Sequence, residues 1–105
     1  MSLSGNEQAT DRLLGLWVVH PEDKAAIRQL GQVSMKFEKN GRLTYTIHEK
    51  EKDQVIQLTY FVDDSHVVTN QPSHPAEERT RFDFDANGDL QLEVEGRWSR
   101  YCRPG

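Results

Sequence analysis

One cysteine, Cys102, stands alone in 105 residues, so no disulfide can close within the chain and packing must hold the fold. No apolar run approaches the ~18–20 residues that span a bilayer as a helix. Nor is there an excess of positive charge. Thirteen Lys and Arg face seventeen Asp and Glu, for a net charge of −4, which leaves no basic footprint for nucleic acid or an anionic membrane surface. The opening Met1-Ser2-Leu3-Ser4-Gly5 has neither the basic nor the apolar segment of a secretion signal. It reads as a disordered or vector-derived leader, and residues 6–105 as one domain. With the lone thiol, this gives a cytoplasmic location as the expectation. Apolar residues make up only 35% of the chain, a ration that suits strands burying one face rather than two.

What is present is a change of period. Residues 6–15 read as a short helix, with Asn6 as its cap and Gly15 as its stop. A strand begins at Gly15-Leu16-Trp17. Pro21 to Leu30 reads as a second helix opening on proline and acids and stopping at Gly31, although a loop there would look similar. From Gln32 the period is two. Val33, Met35 and Phe37 alternate with polar residues, as do Leu43, Tyr45 and Ile47. If Phe37 and Leu43 both face inward they must pair, which makes the loop Lys39-Asn40-Gly41 with Gly41 in the left-handed conformation. A two-residue Asn-Gly loop would set Glu38 opposite Leu43, on conflicting faces.

The same spacing recurs in Phe84-Asp85-Ala86-Asn87-Gly88-Asp89-Leu90. Pairing Phe84 with Leu90 extends to Phe82 with Leu92 and Thr80 with Val94, and sets Arg81 against Glu93 and Arg79 against Glu95 on the outer face. Between the hairpins, Ile56, Leu58, Tyr60 and Val62 form an inner face. Asp64-Ser65 turns the chain, and Val67 and Thr69 continue inward. Asn70 to Ala76, with Pro72 and Pro75, is a loop. In the last strand, a three-residue turn after Val94 would aim Trp98, Arg100 and Cys102 inward, and a two-residue turn would aim Ser99 and Tyr101 there. The expected fold is mainly β: an antiparallel up-and-down meander barrel of about eight strands with one or two short N-terminal helices.

Several motifs suggest chemistry at first sight. Asp83 to Leu90 has the opening of a calcium loop, but Val94 holds the twelfth position, where a bidentate glutamate belongs. The segment reads as a hairpin. His20, His48, His66 and His74 have no chelating spacing, so no metal site is expected. Asp64-Ser65-His66 has the residue types of a triad, but neighbours around a turn point apart. Cys102 has no histidine near it in sequence and reads as a structural thiol. Polar groups on inward positions are more informative: Tyr45, Tyr60, Thr69, Thr80 and, under one facing of the last strand, Arg100. They either satisfy one another in a filled core or orient a ligand in a pocket. On the outside, Val55, Phe61 and Val68 form an apolar face, which Leu13 and Leu14 of the first helix would cover or a second copy would meet.

These residues resemble the lipocalin-like (calycin) barrels. The resemblance lies in Gly15-Leu16-Trp17, a G-x-W at the end of a helical turn that opens the first strand, then a meander of hairpins and an arginine on the last strand. The family's second motif, a T-D-Y-type turn, is absent, and the chain is shorter than a typical ligand carrier. The resemblance implies that an arginine, Arg100 or Arg103, packs over Trp17, and that the domain binds a small apolar molecule. Tyr45, Tyr60, Thr69, Thr80, Phe82, Trp98 and Arg100 would be the ligand-binding residues, with the 21–31 segment across one mouth. Gly15, Trp17, Gly41, Gly88 and Arg103 would be structural. No cofactor, catalytic residue, nucleic acid or membrane span is expected. The alternative is an interaction module, a homodimer through Val55, Phe61 and Val68 with a filled core. An enzyme of isomerase or lyase type would need a buried acid beside a pocket, and the acids fall on outer faces or turns.

Overall fold

The computed structural model describes residues 5–73 and 75–104, so most of the leader, and His74, lie outside the described residues. Eight strands follow one another around a closed antiparallel barrel, each pairing with the next and β8 returning to β1. They are β1 (Gly15–Val19), β2 (Gln32–Phe37), β3 (Arg42–His48), β4 (Asp53–Asp63), β5 (His66–Asn70), β6 (Glu78–Phe84), β7 (Leu90–Val94) and β8 (Arg97–Cys102). Two helices, α1 (Gly5–Leu13) and α2 (Lys24–Leu30), flank β1 in sequence. Among the described residues no helix is long and apolar enough to cross a membrane.

Turn chemistry sets the registers. Phe37 pairs with Leu43, the Gly41 N–H donates to the Glu38 carbonyl at 3.2 Å, and Gly41 is left-handed at φ 84°. The second hairpin repeats this. Phe84 pairs with Leu90, and Asp85 Oδ1 accepts from the backbone of Asn87 and Asp89 at 2.8 and 3.0 Å. That carboxylate is engaged by the turn itself. A third tight turn decides the facing of β8. Glu95 and Gly96 lie at φ 52° and 79°, so two residues join Val94 to Arg97 in the turn that matches the natural strand twist. Ser99 and Tyr101 are therefore buried, and Trp98 is 41% exposed. Of the two facings open to β8, the structure adopts that of the two-residue turn, so Trp98, Arg100 and Cys102 do not face inward, and the expectation of Trp98 and Arg100 as ligand residues inside the barrel is corrected.

Two further expectations are corrected. The helices differ from their sequence patterns: α1 includes Asn6 and ends at Leu13, and α2 begins after Asp23, not at Pro21. Asp23 is the cap, its Oδ1 accepting from the Ala26 N–H at 3.1 Å. The other concerns β6 and β7, whose ladder stops at Phe82–Leu92. Above it, residues 78–81 pair only with β5 and 93–94 only with β8. Arg79 therefore reaches Asp63 instead of Glu95, at 2.9 Å, and Arg81 lies over Trp98. Each strand follows its other neighbour, and the wall parts between them.

One end of the barrel is closed by α1. Leu13 is fully buried in the core, and its carbonyl accepts from Trp17 Nε1 at 2.8 Å. Arg103 stacks on Trp17 at 3.8 Å, and Arg12 on Phe84 at 3.9 Å. Arg103 also donates to the Leu16 and Arg12 carbonyls at 3.2 and 3.0 Å. Gly15, at φ 104°, passes so close that a Cβ there would sit 2.9 Å from Arg103 Nη1. Because Leu13 is spent on the interior, α1 does not cover the outer face of β4. Phe61 and Val55 stay exposed, whereas Val68 is buried between its cross-strand partners Phe61 and Arg79. Gln57 and Thr59, on the same face of β4, separate Val55 from Phe61, so the apolar face is broken.

Candidate functional site

The other end of the barrel is open, and a cavity of about 640 Å³ descends from it. Its depths are lined by core side chains, among them Met35, Phe37, Leu43, Val67 and Leu92. The walls above them are Tyr45, Ile56, Leu58, Thr69, Thr80 and Val94. All six face inward by register, yet all are only half-buried. An inward apolar residue that solvent still reaches marks a core that the chain's own side chains do not fill. The volume lies within the ~300–1,000 Å³ usual for small-molecule sites. At the mouth, Leu30 of α2, Gln71 and Ala76 complete the lining, so the 21–31 segment does flank the opening.

Polar groups inside this cavity are hydroxyls. Burial pushes the Tyr45 phenol above its ordinary range. Tyr101 is pushed up more strongly, by burial first and then by Tyr45, against a lowering hydrogen bond with Ser99. Both are neutral hydrogen-bonding groups at physiological pH, not bases. The carboxylates among the lining residues are Glu78, Glu93 and Glu95, all at the open end where β6 and β7 part. None is buried.

The structure brings together three of the seven expected ligand residues: Tyr45, Thr69 and Thr80. Tyr60 belongs to the core. Its ring meets Phe37 edge-on at 5.0 Å, and its hydroxyl donates to the Glu38 carbonyl at 2.9 Å. Phe82 turns toward the closed end and packs on Phe84. Trp98 and Arg100 lie outside, where with Glu22, Asp23, Gln91 and Ser99 they line a polar cleft of about 280 Å³. There Arg100 Nη2 lies 3.3 Å from the His20 ring and 3.5 Å from Glu22, while its Nε is buried without a hydrogen-bond partner. Sequence reasoning missed Tyr101 as a lining residue, because only the two-residue turn at Glu95-Gly96 turns it inward. It also missed Ile56 and Leu58, which were assigned to the inner face but not to a cavity.

The barrel's outside does assemble a Ser–His–Asp relay, from residues on three different strands. Ser34 Oγ lies 3.0 Å from His48 Nε2, and His48 Nδ1 lies 3.2 Å from Asp53 Oδ1. A nucleophile also needs access and an oxyanion hole. Ser34 is buried, stands mid-strand in paired sheet, and borders neither cavity. The relay reads as a cross-strand hydrogen-bond ladder.

No protein-family model, curated protein or solved structure matches the chain.

Proposed function

We propose that this domain is a non-catalytic binder of a small apolar molecule, of lipocalin-like type, with its ligand inside the barrel. The observation that carries the reading is the open cavity of about 640 Å³, whose apolar walls are left wet by the chain's own packing. Burying such walls against a ligand contributes roughly 25 cal/mol per Å² of apolar surface removed from water. The hydroxyls of Tyr45, Thr69 and Thr80 would orient the ligand. The lipocalin-like assignment itself is supported by the end closure, in which Arg103 covers the tryptophan of Gly15-Leu16-Trp17.

Isothermal titration calorimetry against a panel of neutral apolar compounds tests the reading, since neither Trp17 nor Trp98 lines the cavity and tryptophan fluorescence would be a blunt reporter. Micromolar binding to at least one compound is expected. Leu58→Trp, which places a large ring in the half-buried wall, should abolish it while leaving the circular dichroism spectrum intact. Failure of the whole panel, or binding undisturbed by Leu58→Trp, would refute the site.

A further inference from the structure

The inward tyrosines use their hydroxyls differently. Tyr60 commits its own to the Glu38 carbonyl, at 2.9 Å. Tyr45 lines the cavity, and among the described residues its hydroxyl has no hydrogen-bond partner. Tyr101 also lines the cavity, and its side-chain partner is Ser99, two residues along the same strand face. That bond lowers the phenol against the rise from burial, so Ser99 donates and the Tyr101 oxygen accepts. The Tyr101 O–H is left free to donate in its turn.

Topology turns these two donors toward one another. β3 and β8 stand three steps apart around the barrel in one direction and five in the other, so their long inward side chains approach across the interior. Tyr45 accordingly adds to the rise at Tyr101, yet no hydrogen bond joins the two phenols. Water serves such donors while the cavity is wet. An apolar ligand that expels the water must supply the acceptor itself, or leave both donors unpaired in an apolar space. Below the rim the cavity offers no countercharge. Its charged lining residues are Glu78, Arg79, Glu93 and Glu95, all at the open end, and the charge there is mixed. Register puts Glu78 with Thr69 and Arg97 with Val94 on the inner face, and Glu93 with Trp98 on the outer. An ionised group carried down to the tyrosines would lose its water without gaining a partner, a far larger penalty than a neutral oxygen meets.

We propose that the ligand is an apolar molecule bearing a neutral carbonyl, a ketone or an ester, whose oxygen accepts from the Tyr45 and Tyr101 hydroxyls inside the barrel. This rests on the cavity reading above and assigns it a ligand class. A carbonyl suits a pair of donors because its oxygen presents two lone pairs and brings no donor of its own. An alcohol adds an O–H that must find an acceptor in the same apolar space, and a carboxylate adds an unpaired charge.

The test sets 2-decanone beside 2-decanol and decanoate, which share its chain length, and butylbenzene, which has no oxygen, each titrated calorimetrically at pH 7. 2-Decanone should bind several-fold more tightly than 2-decanol, and decanoate most weakly. Tyr45→Phe and Tyr101→Phe each remove one hydroxyl and keep the ring. Each should weaken 2-decanone by about threefold to tenfold and leave butylbenzene unchanged, which reports that fold and cavity are intact. Infrared spectroscopy of carbonyl-labelled 2-decanone on the unaltered protein gives a second readout that needs no variant. The bound carbonyl stretch should fall below its position in hexane, and each Phe variant should return part of the shift. An unshifted stretch, 2-decanol or decanoate binding as tightly as the ketone, or Phe variants that keep its full affinity would overturn the carbonyl assignment, while butylbenzene binding leaves the cavity standing. If none of the four compounds binds, the cavity reading falls with it.

Discussion

Gly15 and Arg103 should behave as one unit, and a double-mutant cycle can measure how strongly. Gly15→Ala asks a residue with a Cβ to hold φ 104°, a strain of about 1–3 kcal/mol. The new Cβ would also lie 2.9 Å from Arg103 Nη1. Nη1 is the far end of a flexible side chain, so the guanidinium moves aside rather than the backbone. It then forfeits its stack on Trp17, worth about 0.5–2 kcal/mol. Gly15→Ala alone should therefore cost about 2–4 kcal/mol. Arg103→Ala alone loses the stack and the hydrogen bonds to the Leu16 and Arg12 carbonyls. Because Arg103 is exposed, its cost should be about 1–3 kcal/mol. Once the arginine is gone, adding Gly15→Ala brings only the backbone strain. The double variant should then fall short of the sum by about 1 kcal/mol. Urea unfolding followed by circular dichroism gives each value, with equal m-values as the check on two-state behaviour. Additivity within ~0.3 kcal/mol would show that glycine is needed for its φ alone, and the account of the G-x-W closure would fail.

Asp23 offers a second test. One oxygen caps α2 at the Ala26 N–H and the other accepts from the Arg100 N–H at 2.8 Å, at the seam where β8 meets β1. Asp23→Ala should cost about 2–4 kcal/mol in urea unfolding, a lost cap plus a part-buried donor left unpaired; a cost below ~1 kcal/mol would mean that the seam re-forms without it. The tyrosines supply a pH dependence. Burial raises all three, with Glu38 adding to the rise at Tyr60. A raised folded-state value means that the native protein holds its protons longer than the unfolded chain. Stability from this source is intact below pH ~10 and is lost as pH climbs above it. Phenolate absorbance should therefore appear together with the loss of circular dichroism in an alkaline titration. A full, normal tyrosine titration with the fold intact would refute the buried placement of Tyr45 and Tyr101.

Much of the barrel was legible in the chain because its signals are local. Strand alternation names the buried face without knowledge of neighbours, and Asn-Gly with a three-residue loop fixes register at Phe37–Leu43 and Phe84–Leu90. Gly15-Leu16-Trp17 likewise marks the first strand, and the resemblance to lipocalin-like barrels implied an arginine over Trp17. The choice between Arg100 and Arg103 could not. It turns on the parity of β8, and parity turns on one residue in the turn after Val94. That single ambiguity left both facings of β8 open, and the expected ligand residues Trp98 and Arg100 followed the facing that is not adopted: Ser99 and Tyr101 are the residues inside.

The site was less legible, and for a physical reason. A sequence states which side chains face the interior, but whether they meet there depends on barrel girth, helix placement and where ladders end. Tyr45 and Tyr60 are both inward tyrosines in adjacent strands; one lines the cavity and the other closes the core on Phe37. Charges on long side chains are harder still. The expected Arg79–Glu95 pair is sound cross-strand chemistry, yet β6 and β7 have separated before reaching it, so Arg79 turns to Asp63 and Glu95 is left at the opening. Composition, period and turn residues by themselves determined an antiparallel meander of about eight strands and, outside β8, the residues that face its interior, because each follows from neighbours along the chain. Tertiary structure alone decided that the interior is not full and that α1 closes one end while the other stays open, because these depend on distances between strands remote in sequence.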